Sequence, residues 1–162
     1  MLLLAGRTIE PNNGHASGRE LLAELYRGHT GREMPPIRVT DRGKPYFEGE
    51  DLHFSISHTK YHVFVALSER PIGIDAEERD RQINLRLAEK ILSPAEQLCY
   101  EAAADKRAAL LKLWVLKEAR AKYTGTGLQG YPNHTDFSPE DSRVFEKDGC
   151  YVAVIEEETY AV

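Results

Sequence analysis

The stretch Trp114-Val115-Leu116-Lys117-Glu118-Ala119-Arg120-Ala121-Lys122 constrains this chain most. Leu111, Val115, Glu118 and Lys122 follow one another at spacings of four, three and four, so a single helical stripe carries all of them. An apolar stripe that ends in a carboxylate and an ammonium one turn apart is a face leaving a core and entering a site. Upstream, Gly73-Ile74-Asp75-Ala76-Glu77 is apolar up to Ile74. In an extended chain Asp75 and Glu77 then point the same way, because side chains alternate with period two. Two carboxylates on one strand face and a third on a helix form a ligand set suited to Mg²⁺, which takes oxygen ligands octahedrally and shares them with phosphates. Each fragment alone also has a plainer account. Glu118 and Lys122 stand at the spacing of an ordinary surface ion pair, worth a few tenths of a kcal/mol. Asp75 and Glu77 are equally the polar residues that end a strand.

A chain of 162 residues fits one domain, or two small halves sharing a core. With 41% hydrophobic and 29% charged residues it reads as an ordinary soluble globular protein. The opening Met1-Leu2-Leu3-Leu4-Ala5 is too short for a signal peptide or a membrane span and reads as a first strand, so a cytoplasmic protein without membrane attachment is expected. Cys99 and Cys150 lack partners at metal-ligand spacing and are expected to be buried free thiols. No HxxxH or HExxH pattern is present, which argues against zinc. A net charge of −5 argues against general nucleic-acid binding but leaves room for a local basic patch facing an acidic partner.

Along the chain, Ser17 is a candidate N-cap of a helix carrying Leu21, Leu22 and Leu25, ending near Gly28 or Gly31. Ile37-Arg38-Val39 is a short strand, and Asp41 to Pro45 is a turn. Leu52, Phe54 and Ile56 alternate with His53, Ser55 and Ser57, which predicts a strand buried on one face. His62 to Leu67 makes the returning strand of a hairpin, and Pro71 opens the strand Ile72 to Glu77. Ser93-Pro94-Ala95-Glu96 is a capping box with proline at the first helical position, so Glu96 reads as a cap before anything else. The long helix is expected from about Asp105 to Lys122, stopping before Gly125-Thr126-Gly127. A terminal hairpin turns at Asp148-Gly149. Trp114 reads as a core anchor.

Gly43-Lys44-Pro45, Ile56-Ser57-His58, Gly73 through Glu77, and Trp114 through Lys122 trailed by Gly125-Thr126-Gly127-Leu128 occur in that order. Together they resemble the 4′-phosphopantetheinyl transferases of the surfactin-synthetase-activating type, whose pattern is GKP, SHS or SHT, (V/I)GxDxE, and WxxKEAxxK with a trailing GxGL. The resemblance runs from about Gly43 to Leu128. It implies transfer of the phosphopantetheine arm of coenzyme A to a serine of an acyl or peptidyl carrier protein, with release of 3′,5′-ADP. It implies Asp75, Glu77 and Glu118 as Mg²⁺ ligands, Glu118 also as the group taking the serine proton, and Lys122 at the phosphates and leaving group. Lys44, Ser57 and His58 would bind the coenzyme A phosphates. The implied fold is α+β, two similar lobes in pseudo-twofold arrangement, here 1–70 and a metal-bearing 71–162, with the first lobe abbreviated.

Because both lobes lie in one chain, a monomer is expected. Arg79, Arg81, Arg86 and Lys90, with Lys106 and Arg107, form basic segments suited to steering an acidic carrier. The competing reading is a non-catalytic module that binds coenzyme A or carrier protein. A Mg²⁺-dependent pyrophosphohydrolase is a third, and it lacks the helical acidic repeats such an enzyme would call for.

Overall fold

The computed structural model describes residues 1–125 and 136–156. Two three-stranded antiparallel sheets, each covered by one long helix, form its frame. The first sheet is built from β1 (Leu2–Thr8), β4 (His53–His58) and β5 (His62–Ser68) in the order β1-β5-β4. Between β1 and β4 lie α1 (Gly14–Thr30) and a small ribbon of β2 (Ile37–Val39) and β3 (Pro45–Phe47). The second sheet holds β6 (Ile72–Glu78), β7 (Val144–Lys147) and β8 (Cys150–Glu156) in the order β6-β8-β7. Helices α2 (Leu87–Ile91), α3 (Pro94–Ala102) and α4 (Lys106–Thr124) come between β6 and β7. In both sheets the chain runs strand, long helix, hairpin, and the last strand inserts beside the first.

Alternation along the strands decides what packs where. Val63, Val65 and Leu67 of β5 join Leu21, Leu22 and Tyr26 of α1 in one core. Phe64 and Ala66, on the other face of β5, meet Ile72, Ile74 and Ala76 of β6 and Cys150, Val152 and Val154 of β8 in a second core between the sheets. Tyr151, Ala153 and Ile155, the opposite parity of β8, pack against Leu111, Val115 and Ala119 of α4. Gly73, Asp75 and Glu77 are therefore directed toward α4.

Gly73 is the point of closest approach. A Cβ there would lie 1.9 Å from the Ala119 carbonyl oxygen and 2.5 Å from the Tyr123 nitrogen, both backbone atoms of α4. Neither can swing aside as a side chain would. Gly73→Ala is expected to cost about 3 kcal/mol or more, at or beyond the upper end of ordinary overpacking. A denaturant titration checks this, and an unchanged midpoint would contradict the close packing.

The helix ends obey the local chemistry. Ser93 and Glu96 form the reciprocal capping box, with Pro94 opening α3. Asp105 caps α4 by accepting from the Ala108 amide, and Gly125 closes that helix at φ 74°. Gly31 likewise ends α1 at φ 72°. That helix opens at Gly14, earlier than expected, and Ser17 lies buried in its first turn. The Asp148-Gly149 turn has φ 52° and 79°, as a tight hairpin requires.

Two expectations are corrected. β4 is buried on both faces: Ser55 and Ser57, the residues that should face solvent, are 6% and 4% exposed. The cause is an unpaired sheet edge. The amides of Ile74 and Ala76 on the free edge of β6 donate to Ser55 Oγ and Ser57 Oγ, both at 3.0 Å, so serine hydroxyls replace a backbone ladder between two edge strands. And of the two thiols only Cys150 is buried, whereas Cys99 is exposed on α3. Thr126, Gly127 and Leu128 of the trailing glycine motif lie outside the described residues.

Candidate active site

Asp75 is 7% exposed and sits where β6, β4 and α4 meet. Its Oδ1 accepts from Ser57 Oγ and from Lys122 Nζ, each at 3.2 Å. Lys122 also donates to the Ile56 carbonyl at 3.2 Å, so one ammonium ties α4 to both sheets. Burial raises the Asp75 pKa, against the lowering effect of Lys122 and Ser57. Among the described residues, Asp75 Oδ2 has no hydrogen-bond partner although it is buried.

Glu77, two residues on and on the same face, pairs with the Arg81 guanidinium, and the nearby Trp114 side chain favours its charged form. Burial raises its pKa as well, with the Asp75 charge adding to the shift. Glu118 reaches the same place from α4. Its pKa is pushed up to about 7, first by burial, then by the charge of Asp75, and further by that of Glu77, with Lys122 and Arg81 opposing. Glu118 therefore shares one electrostatic site with the two strand carboxylates.

The residues fit a divalent cation in donor type: three carboxylates face two compensating cations, a buried carboxylate oxygen is unpartnered, and all the donors are hard oxygens of the kind Mg²⁺ takes, although the three stand farther apart than a bound ion would hold them. A titration follows from this. A carboxyl whose folded pKa lies above its unfolded value holds an extra proton in the folded state, so its contribution is present below the unfolded pKa of 4.5 and lost as pH rises through about 7. In a chelator, the thermal midpoint of the protein should therefore fall over that window relative to Glu118→Gln. Added Mg²⁺ should restore it at pH 7.5. A wild-type midpoint that tracks Glu118→Gln across the window would show that Glu118 is not charge-stressed.

Beside the carboxylates opens a cleft of about 280 Å³ lined by Arg42, Lys44, Phe54, Ile56, Glu118 and Lys122 among others. Lys44 Nζ donates to the Tyr123 carbonyl at 2.6 Å near the end of α4, and burial lowers its pKa. Lys44, Glu118 and Lys122 thus meet in one cleft. Ser57 and His58 are arranged differently. The Ser57 hydroxyl is turned onto β6 and Asp75. His58, exposed at the end of β4, packs its ring on Gly14 at the start of α1, where a Cβ would lie 2.4 Å from the ring.

Three contributors escaped the sequence reading of the site. Arg81 is read there as part of a carrier-facing patch but pairs with Glu77. Neither residue is helical, so the four-residue spacing between them gave no signal. Trp114 packs partly into the α4 core, as expected, and also lies close enough to Glu77 to favour its charged form. Arg42 lines the cleft next to Gly43 and Lys44. Nothing in the local pattern singled it out.

A family model of the 4′-phosphopantetheinyl transferase superfamily matches residues 71–153, just over half of the chain. The chain is 32% identical over 136 residues to 4′-phosphopantetheinyl transferase psf-1 of Bacillus pumilus, which covers 77% of this chain and 58% of that protein. It is 33% identical over 94 residues to 4′-phosphopantetheinyl transferase gsp of Aneurinibacillus migulanus, covering 57% of this chain and 39% of the relative. A 4′-phosphopantetheinyl transferase of Bacillus subtilis matches at 33% over 93 residues, 56% of this chain and 41% of its own. The matches thus span between two fifths and three fifths of these relatives' lengths. The match over 71–153 takes in β6, α4 and β7 with all three carboxylates and Lys122, and on it the chain belongs to the 4′-phosphopantetheinyl transferase superfamily.

Proposed function

We propose that this chain transfers the 4′-phosphopantetheine arm of coenzyme A to a serine hydroxyl of an acyl or peptidyl carrier protein, as a transferase of the surfactin-synthetase-activating type. The observation that carries the reading is the buried Asp75, with one oxygen unpartnered and its charge felt by Glu77 and Glu118, beside a cleft bearing Arg42, Lys44 and Lys122. When bound at Asp75, Glu77 and Glu118, Mg²⁺ supplies charge neutralisation at the pyrophosphate, which is most of what phosphoryl transfer asks of a protein.

The chain's own residues supply the rest. Glu118, at the edge of the cleft, would accept the carrier serine's proton. The serine oxygen then bonds to the phosphorus that bears the pantetheine arm, and the bond from that phosphorus to the bridging oxygen of 3′,5′-ADP breaks. Lys122 neutralises the charge left on the departing phosphate. Lys44 holds the phosphates from the cleft wall. Ser57 orients Asp75, and its expected contact with coenzyme A becomes an indirect one through that carboxylate. His58, beside the start of α1, suits a phosphate placed outside the cleft. The repeated strand order of the two sheets supports two similar lobes, 1–70 and 71–162, related by a pseudo-twofold. A cytoplasmic monomer fits this reading.

Arg86 and Lys90 are exposed on and next to α2, with Leu85 exposed beside them. Reversing both charges should raise KM for the carrier by roughly tenfold and leave KM for coenzyme A nearly unchanged. Equal effects on both substrates would remove this patch from carrier recognition.

Intact-mass spectrometry of an apo carrier incubated with the chain, coenzyme A and Mg²⁺, with an EDTA control, tests the function. The expected result is a gain of one phosphopantetheine that is lost with EDTA. No gain across several carrier classes, from protein that still binds coenzyme A, would favour the non-catalytic binding module.

A further inference from the structure

The core between the two sheets ends in three ligating side chains. Along β5, the parity that gives Phe64 and Ala66 to this core also gives His62. Along β6, the parity of Ile74 and Ala76 continues to Glu78. Along β8, that of Val152 and Val154 begins with Cys150. Glu78 and Cys150 are direct cross-strand partners. His62 Nδ1 lies 2.8 Å from Glu78 Oε1 and 3.5 Å from Cys150 Sγ, and Sγ lies 3.6 Å from Glu78 Oε2. We propose that His62, Glu78 and Cys150 form a second cation site, distinct from the Asp75 carboxylates and specific for a borderline-soft divalent ion such as Zn²⁺.

The geometry and the donor types argue together. With Zn–S of about 2.3 Å and Zn–N or Zn–O of about 2.0–2.1 Å, a tetrahedron separates sulfur from nitrogen or oxygen by about 3.5 Å. Both sulfur distances already have that value. Glu78 turns different oxygens to its two partners, Oε1 to His62 and Oε2 to Cys150. The carboxylate therefore has to swing to bring one oxygen between them, and the His62 contact has to open by about half an ångström toward the tetrahedral edge. Imidazole, thiolate and one carboxylate suit zinc and are poor for Mg²⁺, whereas the all-oxygen set at Asp75 has the opposite preference.

The surroundings are those of a ligand site. Thr59 Oγ1 donates to Glu78 Oε1 at 2.5 Å and so orients the carboxylate. Phe64 stacks on the His62 ring with centroids 6.2 Å apart. Cys150 is fully buried, while the His62 and Glu78 side chains are 16% and 18% exposed, which leaves one open side for water as a fourth ligand. Glu77 and Glu78 are consecutive and face opposite ways, so β6 serves both sites without sharing a donor. The ligands come from β5 of one sheet and from β6 and β8 of the other, so a bound ion would clamp the two sheets. On ligation the thiol proton leaves to solvent. The spacing of the ligands in sequence hides the site, because HxxxH and CxxC patterns register helices and turns, not three strands of two sheets.

Co²⁺ added to metal-free full-length protein tests the site. One equivalent should bind with a thiolate-to-cobalt charge-transfer band, and Zn²⁺ should displace it. At a hundredfold excess over its dissociation constant, Zn²⁺ should raise the thermal midpoint by roughly 5–10 °C. The band should persist in Cys99→Ala and Asp75→Ala and vanish in Cys150→Ala. His62→Ala, at a partly exposed position, should weaken binding at least tenfold while keeping the metal-free melting transition. No band in the wild type, a band that survives Cys150→Ala, or one lost with Cys99→Ala would overturn the proposal.

Discussion

Asp75→Ala is expected to slow carrier modification by roughly a thousandfold or more, the scale of losing one preorganised electrostatic element at a phosphoryl-transfer centre. The fold should survive. Asp75 is already a costly group to bury, its pKa raised by desolvation and one oxygen left unpartnered among the described residues. Removing it frees Lys122 to keep its bond to the Ile56 carbonyl. The melting midpoint in chelator should stay within a few degrees of wild type, and the Mg²⁺-induced rise should disappear. Ser57→Ala separates positioning from ligation. It leaves all three carboxylates but takes away the Asp75 donor and the acceptor for the Ala76 amide, so its loss of rate should be partial and accompanied by a lower midpoint. Wild-type-like turnover of Asp75→Ala would refute the metal assignment outright.

What the sequence disclosed and what it hid divide along one physical line. Features set by a single element's period were legible: the α4 stripe from Leu111 to Lys122, the shared face of Asp75 and Glu77, the capping box, and the Asp148-Gly149 turn. Features made by two elements meeting were not. Ser55 and Ser57 read as solvent residues because alternation reports which residues share a face and is silent on what covers it. Arg81 read as part of a docking patch because nothing local says that its guanidinium folds back on Glu77. Glu78 and Cys150 meet through the β6–β8 pairing and His62 joins them only through the stacking of the two sheets. The sequence pattern thus picked out a candidate site on β6 and α4, and the packing of β4 against β6 supplies contacts around Asp75 that the pattern does not show.

The same distinction explains why Lys117 carries the second large effect. In sequence it is the lysine before Glu118 in the helical motif, a residue that would ordinarily be solvated. In the structure its side chain is 1% exposed and its Nζ lies 2.6 Å from Glu96 Oε1. Glu96 is itself buried, accepting from the Ser93 amide at 2.8 Å and from the Phe137 amide at 2.9 Å, so the cap of α3 doubles as the counter-ion of α4. Breaking such a pair from one side leaves an uncompensated buried charge. Lys117→Met or Glu96→Gln alone should each cost about 3–5 kcal/mol. That corresponds to a drop in melting midpoint of roughly 6–20 °C for a domain of this size. The double variant Glu96→Gln/Lys117→Met keeps acceptance from the Ser93 amide, gives up that from the Phe137 amide and removes both charges, so it should be clearly more stable than Glu96→Gln alone. Simple additivity of the two losses would rule out the charge pairing as their cause. Lys117 directly precedes Glu118, so the pair anchors α4 to α3 one residue from the candidate site. The single variants should therefore lose transfer activity at temperatures well below their melting transitions, and the double variant should regain less activity than stability, since restoring neutrality does not restore the anchor.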